Sequence, residues 1–227
     1  AGGTTAGTLN GIQVPAASAT PTTTFTNNIN NNTIALQSGN AAGGINGINY
    51  PSGSASTTSI LNCNSNNFTQ LNHSLAATGS IIGITIASTN LTTSIGNNTF
   101  TNLTTNTTGS FTFISASYST PASGTKTINN NSIVTAFNKT GAGGTVTLYS
   151  DSGSSTTGTT VQNNNNNFSN ITLTGATTMA GWFNNDGTGS TPVKTMNGNT
   201  FSNWTCGTSA VNVLQCNFGG NANISNN

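Results

Sequence analysis

Two carboxylates, Asp151 and Asp186, are the whole acid complement of this chain, which has no Glu and a formal charge of +1. Each stands 18 residues after an apolar position of the same kind, Ile133 and Phe168 respectively. That spacing predicts the same turn in successive repeats, the two carboxylates stacked within one or two strand spacings of about 4.8 Å. Three kinds of chemistry suit such a pair. Glycoside hydrolysis uses two carboxyl groups at a defined separation, but no Lys or His stands in register with these two. Calcium takes six to eight oxygens, so Asp151 and Asp186 with turn carbonyls make at most a weak metal site. Two solvated Asp residues in Gly-rich turns, a setting the residue favours, complete the set. No catalytic residue and no cofactor is expected.

The other reactive side chains are scattered. His73 has no second histidine to share a metal with and reads as a surface or edge residue. Cys63, Cys206 and Cys216 are odd in number. Either Cys206 and Cys216 form a disulfide in an oxidising compartment, or all three are half-buried thiols filling repeat positions. Cys63 supports the second reading, because Ile29, Ile95, Ile128 and Met196 hold its place in other repeats. Trp204 aligns with Leu71, Leu103 and Ile171 and so reads as core. At Trp182 the neighbouring Phe183 competes for the inward place.

What positions these residues is a repeat. An apolar residue after an Asn/Thr/Ser run recurs at Ile34, Phe68, Phe100, Ile133, Phe168 and Phe201, a period of about 33 residues. Roughly a dozen residues later come alternating stretches such as Ile84-Thr85-Ile86, Phe111-Thr112-Phe113 and Val146-Thr147-Leu148. Alternation of period two means a strand with one face buried. A third apolar station precedes each Asn run, and clusters such as Pro51-Ser52-Gly53-Ser54 separate the stations as turns. Three short strands and three bends per period predict one coil of a parallel β-helix, an all-β solenoid in which each strand pairs with its counterpart one coil away. Residues 1–227 are expected to form a single segment of it. Neither end carries a cap, so the sequence predicts a window on a longer solenoid, or flanking coils supplied by another chain.

Asn102, Asn170 and Asn203 follow the aromatic by two places, with Gln70 and Thr135 as polar substitutes. The chain must bend there, and Asn tolerates the left-handed conformation a bend needs. Stacked along the axis, these amides are expected to form a hydrogen-bonded ladder. Charge excludes more than it suggests. Only 2% of the residues are charged and no basic cluster exists, so nucleic acid and anionic membranes find no electrostatic footprint. No stretch approaches the apolar length of a membrane span.

The N-N-T-F-x-N-L strand, followed by G-[IS]-x-G-I-x-I and a Ser/Gly/Thr turn, resembles the right-handed parallel β-helix repeats of very large secreted cell-surface proteins of Bacteroidota. Such proteins leave the cell by the type IX secretion system, and some are gliding or attachment adhesins. The resemblance implies an extracellular, cell-surface location and a non-enzymatic structural or adhesive stalk. Its partners would be polysaccharide, a cell or abiotic surface, and neighbouring coils or fibre subunits. The alternatives are a carbohydrate-active β-helix enzyme, a phage tailspike-like fibre, and a self-assembling fibre subunit.

Overall fold

The computed structural model describes residues 7–15, 23–39, 42–53, 56–185, 193–217 and 221–227. The chain winds through three parallel sheets in turn, giving six three-stranded coils and the first two strands of a seventh. Sheet I stacks Leu9–Gln13, Ile45–Tyr50, Ile81–Ile86, Phe111–Ser115, Thr145–Asp151, Thr178–Asn184 and Leu214–Cys216. Sheet II stacks Thr26–Asn28, Ile60–Asn64, Thr92–Gly96, Thr125–Asn129, Thr160–Gln162, Val193–Asn197 and Asn221–Ser225. Sheet III stacks Thr33–Ser38, Asn67–His73, Thr99–Thr105, Ser132–Lys139, Ile171–Leu173 and Trp204–Thr205. Among the described residues there is no helix. The architecture is the β-solenoid that the repeat predicts.

Side-chain alternation decides which face turns inward. In Ile60–Asn64 the residues Leu61 and Cys63 are buried between half-exposed neighbours. Sheet I departs from strict alternation: in Ile45–Tyr50 and Ile81–Ile86 two inward residues are adjacent. Glycine makes room for that kink. A Cβ on Gly47 would lie 2.6 Å from a ring carbon of Phe68, and one on Gly83 would lie 2.7 Å from Phe100. Aromatic rings from sheet III therefore rest directly on the backbone of sheet I, as only glycine permits.

The centre is an aromatic spine. Phe68 stacks on Phe100 with centroids 4.7 Å apart; Phe100 meets Phe113 at 4.9 Å and Phe113 meets Phe168 at 5.4 Å. Trp182 continues it 5.6 Å from Phe168. Each such pair contributes about 0.5–1.5 kcal/mol beyond the area it buries. Ile34, Phe68, Phe100, Ile133 and Phe168 are buried, and Phe201 in the sixth coil is half-buried. Trp182 wins the inward place from Phe183. Trp204 is only half-buried, its indole N–H donating to the Phe168 carbonyl at 2.7 Å.

Candidate functional site

Where one sheet gives way to the next the chain must turn, and backbone polar groups no longer find a ladder partner on their own. The sheet II–III corner meets this in the same way in every coil. Asn32, Asn66, Asn98, Asn131, Asn166, Asn199 and Asn227 form one column. Each side-chain N–H of one donates to the Oδ1 of the next, at 2.9, 2.9, 2.9, 3.0, 2.9 and 2.7 Å. The same Oδ1 also takes the backbone N–H of the preceding Asn, at 2.9–3.2 Å. The second amide proton reaches back to a carbonyl, for example Asn98 to Cys63 and Asn131 to Ile95, both at 2.9 Å. The residue before each ladder Asn is left-handed: Asn31, Ser65, Asn97, Asn130, Asn165, Gly198 and Asn226 have φ between 54° and 65°. That turn aims the next side chain inward.

The ladder expected at Asn102, Asn170 and Asn203 is therefore displaced. Those three residues do bend the chain, with φ of 51°, 60° and 54°, but they are exposed. Among them only Asn203 and Asn170 are joined by a side-chain bond of the described structure, at 3.0 Å. A bend that points an amide at water does not need a partner along the axis. The buried column does, because an unpaired amide there would lose its hydration.

The sheet I–II corner has no repeating solution. Its inward column from sheet II is Asn27, Leu61, Thr93, Lys126, Val161 and Lys194. Facing it from sheet I are Tyr50, Ile86, Asp151, Asn184 and Cys216. In the fourth and fifth coils an ion pair fills the corner. Lys126 Nζ donates to Asp151 Oδ2 at 2.9 Å, to the Tyr118 carbonyl at 3.0 Å and to the Ala116 carbonyl at 3.1 Å, and lies 4.0 Å above the Tyr118 ring. The Tyr149 hydroxyl donates to the same carboxylate oxygen at 3.0 Å, and the Gly153 N–H donates to Oδ1 at 3.0 Å. Both charged side chains are fully enclosed. Burial pushes the Tyr118 phenol above its ordinary range, with the Asp151 charge adding to the effect.

Asp151 is thus not a solvated turn residue. The carboxylate ends a sheet I strand, and the hydrophobic corner around it demands a counter-charge, which Lys126 supplies. A calcium ion would have to displace that ammonium, so Asp151 does not suit the metal reading. Asp186 lies outside the described residues.

In the first three coils the same corner holds a cavity of about 180 Å³. Phe25, Asn27, Tyr50, Ser59, Ser88 and Asn90 are among the residues lining it. Asn27 donates to the Tyr50 hydroxyl at 3.0 Å, and Ser59 donates to Asn90 Oδ1 at 2.8 Å. Burial raises the Tyr50 phenol, against the opposing bond from Asn27.

The sheet III–I corner holds His73 and Lys139, both fully buried, so the histidine is not the surface residue its isolation suggested. The Lys139 amine donates to the carbonyls of Gly141 at 2.5 Å and Gly143 at 2.7 Å, and burial lowers it to about 8. Cys63, Cys206 and Cys216 are all in the thiol form, none of them in a disulfide. Cys63 sits in the column of Ile95 and Ile128, where burial pushes its thiol up to about 12. Cys206 follows the end of a sheet III strand and Cys216 stacks on Asn184 in sheet I, so no disulfide joins them.

One consequence reaches the surface. Lys126, Lys139, Lys194 and Asp151 are each at most 1% exposed. Among the described residues, no charged side chain faces outward. The outer row of sheet II reads Asn28, Asn62, Ser94, Thr127, Gln162 and Thr195, one hydroxyl or amide per coil. Fold and corners together define a β-solenoid whose described charged side chains are buried at the corners between sheets. In comparisons with known proteins, no family model, curated protein or solved structure matches this chain.

Proposed function

We propose that this chain is a non-enzymatic structural and adhesive stalk segment of an extracellular cell-surface protein. The observation that carries the reading is the outer surface: hydroxyls and amides stacked in rows, with every described charge turned inward. A surface of that kind stays hydrated without net charge and gives salt little to screen. It meets polysaccharide with many weak hydrogen bonds repeated at one-strand spacing, and repetition converts weak contacts into avidity. The in-register sheets and the buried ladder supply the stiffness a stalk needs. The finer assignment, to surface proteins of Bacteroidota exported by the type IX system, rests on the repeat motif.

Co-sedimentation of the intact chain with insoluble neutral polysaccharides tests the reading, with reducing ends assayed in the same tubes. Binding that persists in high salt and in EDTA, without release of reducing ends, is the expected outcome. Loss of binding in either condition contradicts it, and release of reducing ends would make the chain a carbohydrate-active enzyme.

A further inference from the structure

We infer that the cavity at the sheet I–II corner of the first three coils is a subsite for one neutral sugar residue. The inference rests on the polysaccharide-docking reading and gives it an address. The corner is a place where this fold buries polar groups. In the fourth and fifth coils Lys126 and Asp151 fill it, whereas in the first three it encloses about 180 Å³. At about 30 Å³ of liquid volume per water, that is the room of roughly six waters, which a single pyranose ring would displace.

The lining selects the ligand class. No Lys, Arg, Asp or Glu occurs in the sequence before Lys126, so a charged ligand would lose hydration without gaining a counter-charge. A purely apolar ligand would leave the Tyr50 hydroxyl proton without an acceptor. A sugar satisfies both demands, offering hydroxyls to the polar groups and a C–H face to an aromatic ring. The Tyr50 hydroxyl accepts from Asn27, so its own proton remains for a sugar oxygen. Asn90 is already oriented, accepting from Ser59 at 2.8 Å and donating to the Ser88 carbonyl at 2.9 Å. Pro15 and Pro51 add walls whose φ is fixed by their rings. A pocket held in this way loses little entropy when it closes on a ligand.

Saturation-transfer NMR on the intact chain tests the site. The probes are the methyl glycosides of glucose, galactose, mannose and N-acetylglucosamine, with glucuronate as a charged control. Two variants accompany the natural chain: Tyr50→Phe, which removes only the hydroxyl, and Thr89→Trp, which fills the mouth. Thermal unfolding of each verifies that it folds. The expected result is transfer to at least one neutral glycoside and none to glucuronate. Affinity should fall about five-fold in Tyr50→Phe, the loss of one neutral hydrogen bond, and vanish in Thr89→Trp. No transfer to any neutral glycoside, or equal transfer in folded variants, overturns the subsite. Polysaccharide co-sedimentation separates the two levels: polymer bound without a glycoside signal removes the subsite and leaves the stalk reading intact, whereas no polymer bound removes both.

Discussion

The sheet II–III corner and the sheet I–II corner both bury polar groups and handle them in opposite ways. At the first, seven asparagines are joined by six bonds of one geometry, and each of the five inner ones donates up the axis and accepts from below. At the second, each coil differs: a phenol–amide pair beside a cavity, then an ion pair, then Asn184, whose buried amide has no hydrogen-bond partner. Repetition lets identical groups satisfy one another, so the ladder carries its own solution to burial. A heterogeneous column must find partners case by case. It therefore accumulates both strong pairs and unsatisfied groups, and it is where space for a ligand is left.

The largest expected effect breaks the uniform corner. Asn131→Ala strips the acceptor from the backbone and side-chain N–H of Asn98 and a donor from the Ile95 carbonyl, while Asn166 Oδ1 loses the side-chain donor and keeps the backbone N–H of residue 131. At about 1–3 kcal/mol per stranded buried group, the loss should reach roughly 3–6 kcal/mol. The exposed bend offers the contrast: Asn102→Gly, which suits a left-handed φ, should leave denaturant stability within about 1 kcal/mol of the natural chain.

Next comes the irregular corner. Asp151→Ala leaves the Lys126 ammonium buried without its counter-charge and should cost about 3–5 kcal/mol. Lys126→Met combined with Asp151→Leu should cost much less than that single change. A double variant as unstable as Asp151→Ala would mean that packing at this corner, and not charge, sets its stability.

A gain of stability is expected at Asn163. It follows Gln162, which pairs with Thr127, and its carbonyl accepts from Asn199 as that of Ile128 accepts from Asn166, so it continues the column of Cys63, Ile95 and Ile128; its buried side-chain amide has no partner. Asn163→Ile should raise stability by about 1–3 kcal/mol, read from the shift in denaturation midpoint. An unchanged or lowered midpoint would show that the amide is satisfied in solution.

The smallest effect is a slope with pH. The Lys139 amine is lowered from 10.5 to about 8. Between those values the unfolded chain holds the proton more tightly than the folded one, so folding stability should rise with pH across that window. Cys63 acts in the opposite sense: its thiol is raised from 9.0 to about 12, so its contribution is lost as pH rises above 9.0. Stability measured from pH 8 to 9 should therefore climb in the natural chain and stay level in Lys139→Met; parallel curves would remove Lys139 as the cause.

The solenoid was legible because its signals are periodic. Phe68, Phe100 and Phe168 mark the inward turn of sheet III, and period-two alternation marks strands such as Ile60–Asn64. Of the expected ladder only the Asn203–Asn170 bond is present, and the continuous one runs along another column whose signal was also in the sequence. Asn occurs two positions before every apolar station, from Asn32 to Asn199, while the bend position accepts Gln70 and Thr135. Invariance from coil to coil is the signal of the buried amide, whereas adjacency to the aromatic marks only the bend. The burial of Asp151 and His73 is not legible in the sequence for another reason. Their burial depends on which sheet corner they reach, and on Lys126 meeting Asp151 across 25 residues, which no local pattern encodes.

The most direct test of the central claim, that a buried asparagine column is the structural spine of the rod, is native-state amide hydrogen exchange. The backbone N–H groups of Asn66, Asn98, Asn131 and Asn166 lie in turns outside the strands, yet each donates to a neighbouring side chain. The account predicts that they exchange as slowly as the central amides of sheet II, such as Ile95 and Ile128. Exchange at the rate of the exposed turn residue Ala122 would contradict it.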